Sequence, residues 1–215
     1  MMSASNCKQT DERVAIVQGA NRGLGLAFVK ALLGERYGKV IATCRSPSDS
    51  EPGLTTLARS HPDRLEVVQL DVVDEDSIAD AAREVGRITS SIELLINCAG
   101  VLHDDRFRPE RRLSEVRPEQ MLTSFQVNTL GPLLVAKYFK RLLPRRRRAI
   151  VANLSARVGS IGDNRLGGWY AYRASKAAQN MITRNLSIEL KREHKGIICV
   201  SLHPGTVNTD LSRPF

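Results

Sequence analysis

The chain has 215 residues, which suits one α/β domain better than two domains of ordinary size. Hydrophobic residues make up 42% and aromatic residues only 5%, so we expect an aliphatic core of the kind that buried parallel sheets have. No apolar run reaches the roughly 18 residues that a membrane span needs, and residues 1–13 form a polar segment unlike a signal peptide. We therefore expect a cytoplasmic protein without membrane association. Its four scattered cysteines lack the spacing of a metal site.

The net charge is +9, and the densest basic segment is the run of arginines from Arg145 to Arg148. Such a run occurs both in nucleic-acid contacts and in solvated loops. It lies between a helical pattern that ends near Leu143 and a strand that begins near Ala149, and a nucleic-acid patch should also recruit aromatic residues. We favour the loop, and do not expect a nucleic-acid partner.

Short apolar runs alternate with segments of helical period along the chain. Strands are predicted at Val14–Gln18, Val40–Cys44, Leu65–Leu70, Leu94–Asn97, Ala149–Leu154 and Ile197–Leu202. Helices are predicted at Leu24–Leu33, Leu54–Ser60, Asp76–Val85, Pro118–Leu142 and Tyr170–Glu193. This alternation is typical of a doubly wound parallel sheet, the Rossmann architecture, with helices on both faces. We expect a single domain over residues 14–215 that binds ligands just beyond the carboxyl ends of its strands.

A glycine-rich turn joins the first strand to the first helix. Its glycines have the spacing Gly-x-x-x-Gly-x-Gly, which lets the backbone turn tightly and approach a pyrophosphate at the helix N-terminus. The predicted cofactor contacts of this turn are Gly19, Asn21, Arg22, Gly23, Leu24 and Gly25.

The end of the second strand predicts which nicotinamide dinucleotide binds. An acidic residue there would bond the ribose hydroxyls and repel a 2′-phosphate. The sequence instead has Arg45, and Arg22 in the glycine turn could add a second charge-assisted contact to that phosphate. We expect NADP(H), with NADPH preferred over NADH. The alternative is that both arginines are solvated surface residues.

Tyr172 is the candidate proton donor for reduction of a carbonyl, a reaction that requires a hydride and a proton. Lys176 lies four residues later, so both side chains share one face of a helix. An adjacent ammonium and an oxidised nicotinamide would both lower the pKa of a phenol. Tyr170 does not share that face and is interpreted as packing or pocket lining.

These motifs together resemble the short-chain dehydrogenase/reductase family, whose turn reads Thr-Gly-x-x-x-Gly-x-Gly. The resemblance spans Val14 to Leu211, and the segments Gly159 to Asn164 and Tyr172 to Lys176 are most similar to the carbonyl-reductase and C-factor-like branch. It implies that Lys176 also holds the nicotinamide ribose and that Asn128 positions a water in a proton relay. It further implies cofactor contacts from Asp71, Val72, Asn97, Ala99, Gly100, Pro204, Gly205, Val207 and Thr209.

The sequence departs from the family pattern at three positions. Gln18 replaces the Thr of the turn, which we expect to loosen a hydrogen bond, and Cys98 replaces a second Asn. The position of the catalytic serine holds Ala156, with Ser155 beside it. Because adjacent strand residues face opposite sides, Ser155 can replace that serine only if the strand end is irregular. We take Ser155 as the candidate hydroxyl, with Ser160 as a second possibility.

The family's seventh strand and substrate lid do not follow the sixth strand in this sequence, which we interpret as truncation at the C-terminus. The leading hypothesis is an NADP(H)-dependent oxidoreductase that acts on a small carbonyl or alcohol compound. The alternative is a dinucleotide-binding regulatory or signalling protein with little or no turnover. The resemblance also implies a homo-oligomer, either a dimer or a tetramer.

Overall fold

The computed structural model describes residues 13–35, 37–47, 52–205, 207 and 209–211. The predicted polar segment at residues 1–13, which includes Cys7, lies outside the described residues except for Arg13. The strands are β1 (Val14–Gln18), β2 (Lys39–Cys44), β3 (Leu65–Gln69), β4 (Leu94–Asn97), β5 (Ala149–Leu154) and β6 (Ile197–Leu202). The α-helices are α1 (Gly23–Gly34), α2 (Pro52–Ser60), α3 (Glu75–Ile88), α4 (Pro118–Phe125), α5 (Gly131–Phe139) and α6 (Tyr170–Glu193).

The six strands form one sheet in the order β3-β2-β1-β4-β5-β6, and every pairing is parallel. The predicted doubly wound architecture is confirmed. Strand order reverses beside β1, where the register sets Gln18 next to Thr43 on β2 and next to Asn97 on β4. This reversal point is where an open α/β sheet binds its ligand.

A hydrophobic core covers each face of the sheet. On one face α3, α5 and α6 pack on the strands through Ile78, Val85, Val135, Phe139, Leu186 and Leu190. On the other face α1 and α2 contribute Val29, Leu32, Leu33 and Leu54. Burial on both sides explains why the strands are continuous aliphatic runs rather than alternating ones.

The helix predicted over Pro118–Leu142 is interrupted in the structure. A π-helical turn at Gln126–Leu130 separates α4 from α5, and a 3₁₀ turn at Lys140–Leu142 follows α5. Pro132 has no amide hydrogen, so it cannot make the α-helical hydrogen bond to the carbonyl of Asn128. Widened turns of this kind are frequent at functional sites.

The arginine run lies in an exposed loop at the end of the sheet opposite the carboxyl ends of the strands. Arg147 of this loop pairs at 3.3 Å with Glu93, which directly precedes β4. Within the described ranges, no helix is both long and apolar enough to span a membrane.

Candidate active site

The glycine turn leaves the N-terminus of α1 open. Gly19 and Gly23 adopt φ values of +76° and +55°, which residues with a side chain rarely adopt. Gly25 lies against the carbonyl of Gly19, where any added Cβ would collide with the backbone. The N-cap residue, Arg22, makes no side-chain hydrogen bond to the helix, so the first amides of α1 remain available to an anion.

The Gln18 side chain ties the first strand to the fourth. It is 3% exposed, and its Oε1 accepts a hydrogen bond from the backbone amide of Ala99 at 3.2 Å. Gly19 lies so close to Ala99 that a Cβ on Gly19 would be 2.6 Å from its nitrogen. The longer side chain of Gln18 thus joins two strand ends of the site, and the loosened hydrogen bond to the turn stays a prediction.

The two arginines expected at a 2′-phosphate are both exposed, and they differ in their partners. Arg22 lies 3.8 Å from the carboxylate of Asp210, and both side chains are more than half exposed. Arg45 directly follows β2 and is solvent-exposed. A ligand phosphate would thus compete with Asp210 for Arg22.

The ends of β3, β4 and β5 supply polar groups and close backbone contacts. Asp71 follows β3, and its Oδ1 accepts from the amide of Val73 at 3.1 Å. Asn97 is buried and donates to Asn153 at 2.7 Å, and Asn153 donates to Thr183 on α6 at 2.9 Å. The Oδ1 atom of Asn97 is buried without a hydrogen-bond partner among the described residues, so an acceptor remains for a donor from outside this network.

Asn128 joins the loop after β4 to helix α6. It is fully buried; its Oδ1 accepts from the amide of Val101 at 2.8 Å, and its Nδ2 donates to the Val101 carbonyl at 2.9 Å. The same Nδ2 also donates to the Ser175 hydroxyl at 3.0 Å. Because Gly100 has no Cβ, this amide and the Lys176 ammonium can both approach it closely.

Tyr172 and Lys176 lie together on the buried face of α6. Tyr172 is 8% exposed and Lys176 3%, whereas Tyr170 is 39% exposed. The Nζ of Lys176 is 5.7 Å from the centre of the Tyr172 ring, and it donates to the Leu154 carbonyl at 2.7 Å and to Gln179 Oε1 at 3.1 Å. Gly159 lets the turn after β5 approach the Lys176 backbone, where an added Cβ would come within 2.9 Å.

Burial sets the protonation behaviour of this pair. It raises the pKa of Tyr172 to about 12 and lowers the pKa of Lys176 to about 7. The expectation that Lys176 lowers the pKa of Tyr172 is not met among the described residues, because desolvation dominates and the ammonium bonds to Leu154 and Gln179 instead. A lysine that titrates near neutrality can gain and lose a proton at physiological pH.

Cys98 lies beside this pair at the end of β4. Burial raises the pKa of its thiol to about 12, and the charge of Lys176 opposes that shift. The described cysteines Cys44, Cys98 and Cys199 are free thiols.

Ser155 does not bond to Tyr172 in this structure. Its hydroxyl donates to Asn180 Oδ1 at 2.7 Å, and its amide donates to the Leu202 carbonyl at 2.8 Å. Ala156 continues in an extended conformation, and Ser160 is exposed after a short 3₁₀ turn. This geometry does not favour Ser155 in the role of the family's serine.

The loop after β6 returns to the glycine turn. Pro204 and Gly205 follow the strand, with Gly205 at a φ of +77°, and Val207 leads to Thr209. The methyl group of Thr209 would lie 3.7 Å from a Cβ on Gly23. His103 Nε2 lies 3.2 Å from the carbonyl oxygens of both Asp210 and Leu211, so the loops after β4 and β6 meet here.

Two residues of this centre were not predicted. Ser175 accepts from Asn128 and donates to the Tyr172 carbonyl at 2.8 Å. Gln179 orients Lys176 from three residues further along α6. Ser175 lies three residues after Tyr172, and Gln179 lies three residues after Lys176. This helical spacing is visible in the sequence, but Ser and Gln are too common on helices for the spacing alone to indicate a role.

The described residues fit a dinucleotide. The uncapped α1 amides suit a pyrophosphate, the unpaired Asn97 acceptor and the Lys176 ammonium lie near the strand reversal point, and Arg45 is exposed just after β2. The described part of the chain contains no group of three His, Cys, Asp or Glu residues that could hold a metal ion.

Known proteins resemble this chain along most of its length. It is 34% identical to an uncharacterized oxidoreductase of Schizosaccharomyces pombe over 94% of this chain and 77% of that protein. It is 40% identical to the C-signal protein of Myxococcus xanthus over 59% of this chain and 72% of that protein. An NADPH-bound carbonyl reductase from chicken fatty liver superimposes with a TM-score of 0.84 at 38% identity, covering 94% of this chain and 82% of the reductase. Residues 13–215 match the short chain dehydrogenase family, and the chain belongs to that family.

Proposed function

We propose that this protein is an NADP(H)-dependent oxidoreductase that interconverts a carbonyl and an alcohol, with Tyr172 as general acid and base. The observation that carries the proposal is the buried pair itself: the Lys176 ammonium lies 5.7 Å from the centre of the Tyr172 ring, near the carboxyl edge of the sheet where strand order reverses. Buried ionisable groups with strongly shifted pKa values cluster at functional sites.

A bound nicotinamide dinucleotide would supply or accept the hydride. In the reductive direction, the Tyr172 hydroxyl donates its proton to the carbonyl oxygen of the substrate. Lys176 in its protonated form stabilises the resulting phenolate, which its pKa of about 7 allows at neutral pH. Asn128 fixes the loop after β4 against α6 through Val101 and Ser175, so the reacting groups keep their relative position.

The preference for NADPH is supported by the exposed Arg45 after β2 and by Arg22 in the glycine turn. The chicken reductase of similar fold binds NADPH. The proposed contacts to the cofactor are those expected from the sequence, with Lys176 holding the ribose.

The test is NADPH consumption over a panel of aldehydes, ketones and quinones, measured for the wild type and for Tyr172→Phe. We expect consumption by the wild type, and a loss of at least about 100-fold in Tyr172→Phe with unchanged NADPH binding. Consumption that survives Tyr172→Phe would overturn the assignment of Tyr172.

A second candidate function is a dinucleotide-binding regulator with little turnover. It is favoured by Ala156 at the serine position and by the bond that directs Ser155 to Asn180. A similar protein bears the name C-signal. Tight NADPH binding without any consumption that depends on Tyr172 would support this candidate over the first.

The remaining proposals are a small-molecule substrate, a cytoplasmic location and a homo-oligomer of two or four subunits. The homo-oligomer is supported by two exposed apolar side chains, Leu122 on α4 (70% exposed) and Met181 on α6 (62% exposed). Apolar residues that are buried between subunits are exposed in this way when one subunit is considered alone. Sedimentation of the purified protein measures the oligomeric state.

A further inference from the structure

We infer that Glu110 is a positioning residue for Tyr172: its buried side chain fixes the first turn of α6 and keeps Trp169 against the Tyr172 ring. The inference rests on the proposed function for its catalytic consequence. Its structural part can be tested in a protein without turnover.

Glu110 is a buried acidic residue in the loop after β4, with 1% of its surface exposed. Both of its carboxylate oxygens lie 3.3 Å from the amide nitrogen of Ala171, the residue before Tyr172. Its backbone carbonyl accepts from the Trp169 amide at 2.5 Å. A loop some sixty residues away in the chain thus supplies two acceptor groups, a carboxylate and a backbone carbonyl, to the start of α6.

Helix α6 has no cap of its own for these amides. Its N-cap residue is Trp169, which makes no side-chain capping bond, and its first turn contains no acidic residue. A carboxylate at a helix N-terminus is favoured both by hydrogen bonding and by the helix dipole. Glu110 therefore takes the role that Ser, Thr or Asp normally takes at the N-cap.

Trp169 is held in a conformation that it would not adopt freely. Its φ of +51° is left-handed, and the two residues before it, Gly167 and Gly168, are also left-handed. Glycine tolerates such values, whereas a bulky side chain is strained by them and keeps them only when its surroundings impose them. The bond from the Trp169 amide to Glu110 is one such constraint, and Arg173 holds the other side of the turn through the carbonyls of Gly167 and Gly168, both at 3.1 Å.

The strained conformation sets Trp169 beside the reacting phenol. The two rings meet edge to face, with their centres 6.3 Å apart and an angle of 72° between their planes. This contact restricts the ring of Tyr172 in a site where Ser155 bonds to Asn180 and position 156 has no hydroxyl. Packing against Trp169, at the N-terminus of α6, thus restrains the orientation of the Tyr172 ring.

The test uses Trp169 as its own probe, because it is the single tryptophan of the chain. Glu110→Ala removes the cap, Glu110→Gln keeps one oxygen that can accept from Ala171, and Glu110→Asp keeps the charge but shortens its reach. Glu115→Ala is the matched control, since Glu115 also accepts a backbone amide, that of Arg111 at 2.7 Å, within the same loop. Tryptophan emission, acrylamide quenching, NADPH affinity, kcat and KM are measured for each.

In Glu110→Ala we expect emission at longer wavelength, stronger quenching and a loss of kcat of about 10- to 100-fold, as a misplacement of about an ångström produces. NADPH affinity should change less than about twofold, because the glycine turn is untouched. Glu110→Gln should keep the wild-type emission of Trp169 and most of the wild-type kcat, whereas Glu110→Asp should show the same changes as Glu110→Ala. If Glu110→Ala does not fold, the test is the difference in Trp169 emission and kcat between Glu110→Gln and Glu110→Asp.

Unchanged Trp169 emission in both Glu110→Ala and Glu110→Asp would overturn the inference, as would equal losses of kcat in Glu110→Ala and Glu115→Ala. A parallel loss of NADPH affinity would also overturn it, because it would indicate a general structural role. If the wild type shows no turnover, the proposed catalytic function fails, while the emission and quenching of Trp169 still decide whether Glu110 fixes this turn.

Discussion

The Ser155 hydroxyl donates to the side chain of Asn180 at 2.7 Å, and Asn180 lies eight residues beyond Tyr172 on the same helix. That spacing is roughly 12 Å along the helix axis. The Ser155 hydroxyl therefore bonds to a residue that lies more than two helical turns of α6 beyond Tyr172.

Ser155→Ala should leave turnover within about twofold of the wild type. It should lower the free energy of unfolding by about 1 kcal/mol, because Asn180 loses a half-buried hydrogen bond. Initial rates and urea unfolding measure the two effects. A loss of kcat comparable to that of Tyr172→Phe would show that Ser155 reaches the substrate after all.

Ala156→Ser places a hydroxyl at the position of the family's serine. We expect kcat to rise about tenfold, since a donor to the substrate oxygen stabilises charge that develops in the transition state. Steady-state kinetics with the best carbonyl substrate measures it, and Ser160→Ala serves as a control that should change little. An unchanged kcat would mean that the side chain at position 156 does not face the site.

Asn128→Ala should lower the free energy of unfolding by about 2–4 kcal/mol, because Val101 loses two hydrogen bonds and Ser175 loses one in a buried setting. Urea unfolding measures this loss. Gln126→Ala, in the same π turn, is the control, since Gln126 is exposed and makes one long bond of 3.4 Å to Val73. Similar losses in both variants would contradict a specific role for the Asn128 amide.

Arg45→Ala should weaken NADPH binding by about tenfold and leave NADH binding almost unchanged, because only NADPH carries the 2′-phosphate. Titration of cofactor fluorescence measures both affinities. Arg59→Ala removes the same charge from the exposed end of α2 and should affect neither cofactor. Equal weakening of NADH and NADPH by Arg45→Ala would rule out phosphate recognition by this residue.

Asp210→Asn should tighten NADPH binding by about two- to fivefold, because it releases Arg22 from an ion pair between exposed groups. The gain should shrink at high ionic strength, where such charges are screened. In an Arg22→Ala background the same substitution should have no effect, and a persisting gain would show that Asp210 acts on the cofactor without Arg22.

The buried ammonium of Lys176 should make stability rise with pH. Its pKa falls from 10.5 to about 7 on folding, so between these values the unfolded chain binds a proton that the folded chain does not. Relative to Lys176→Met, the wild type should gain roughly 1 kcal/mol per pH unit between about pH 7 and pH 9, measured by urea unfolding. Lys30→Met, at an exposed position on α1, should retain the wild-type slope. A slope unchanged in Lys176→Met would contradict the lowered pKa.

Local pattern in the sequence determined the sheet and the placement of most site residues. Four strands, β1, β4, β5 and β6, have the bounds that their apolar runs predict, and α6 spans the predicted Tyr170–Glu193. Tyr172 and Lys176 share a face because a spacing of four residues does so on any α-helix. The glycine turn likewise follows from backbone conformations that only glycine adopts readily.

Tertiary structure alone decided how these groups are partnered and charged. The bond from Ser155 to Asn180, the interruption of the helix at Asn128 and the cap that Glu110 places on α6 depend on which loops meet and on which rotamers packing allows. The pKa values of Tyr172 and Lys176 depend on burial, which belongs to the folded chain rather than to any local segment. The periodicity of a sequence indicates where a residue lies on its own helix or strand. Hydrogen-bond partners and shifted pKa values depend instead on contacts between elements that are distant in the sequence.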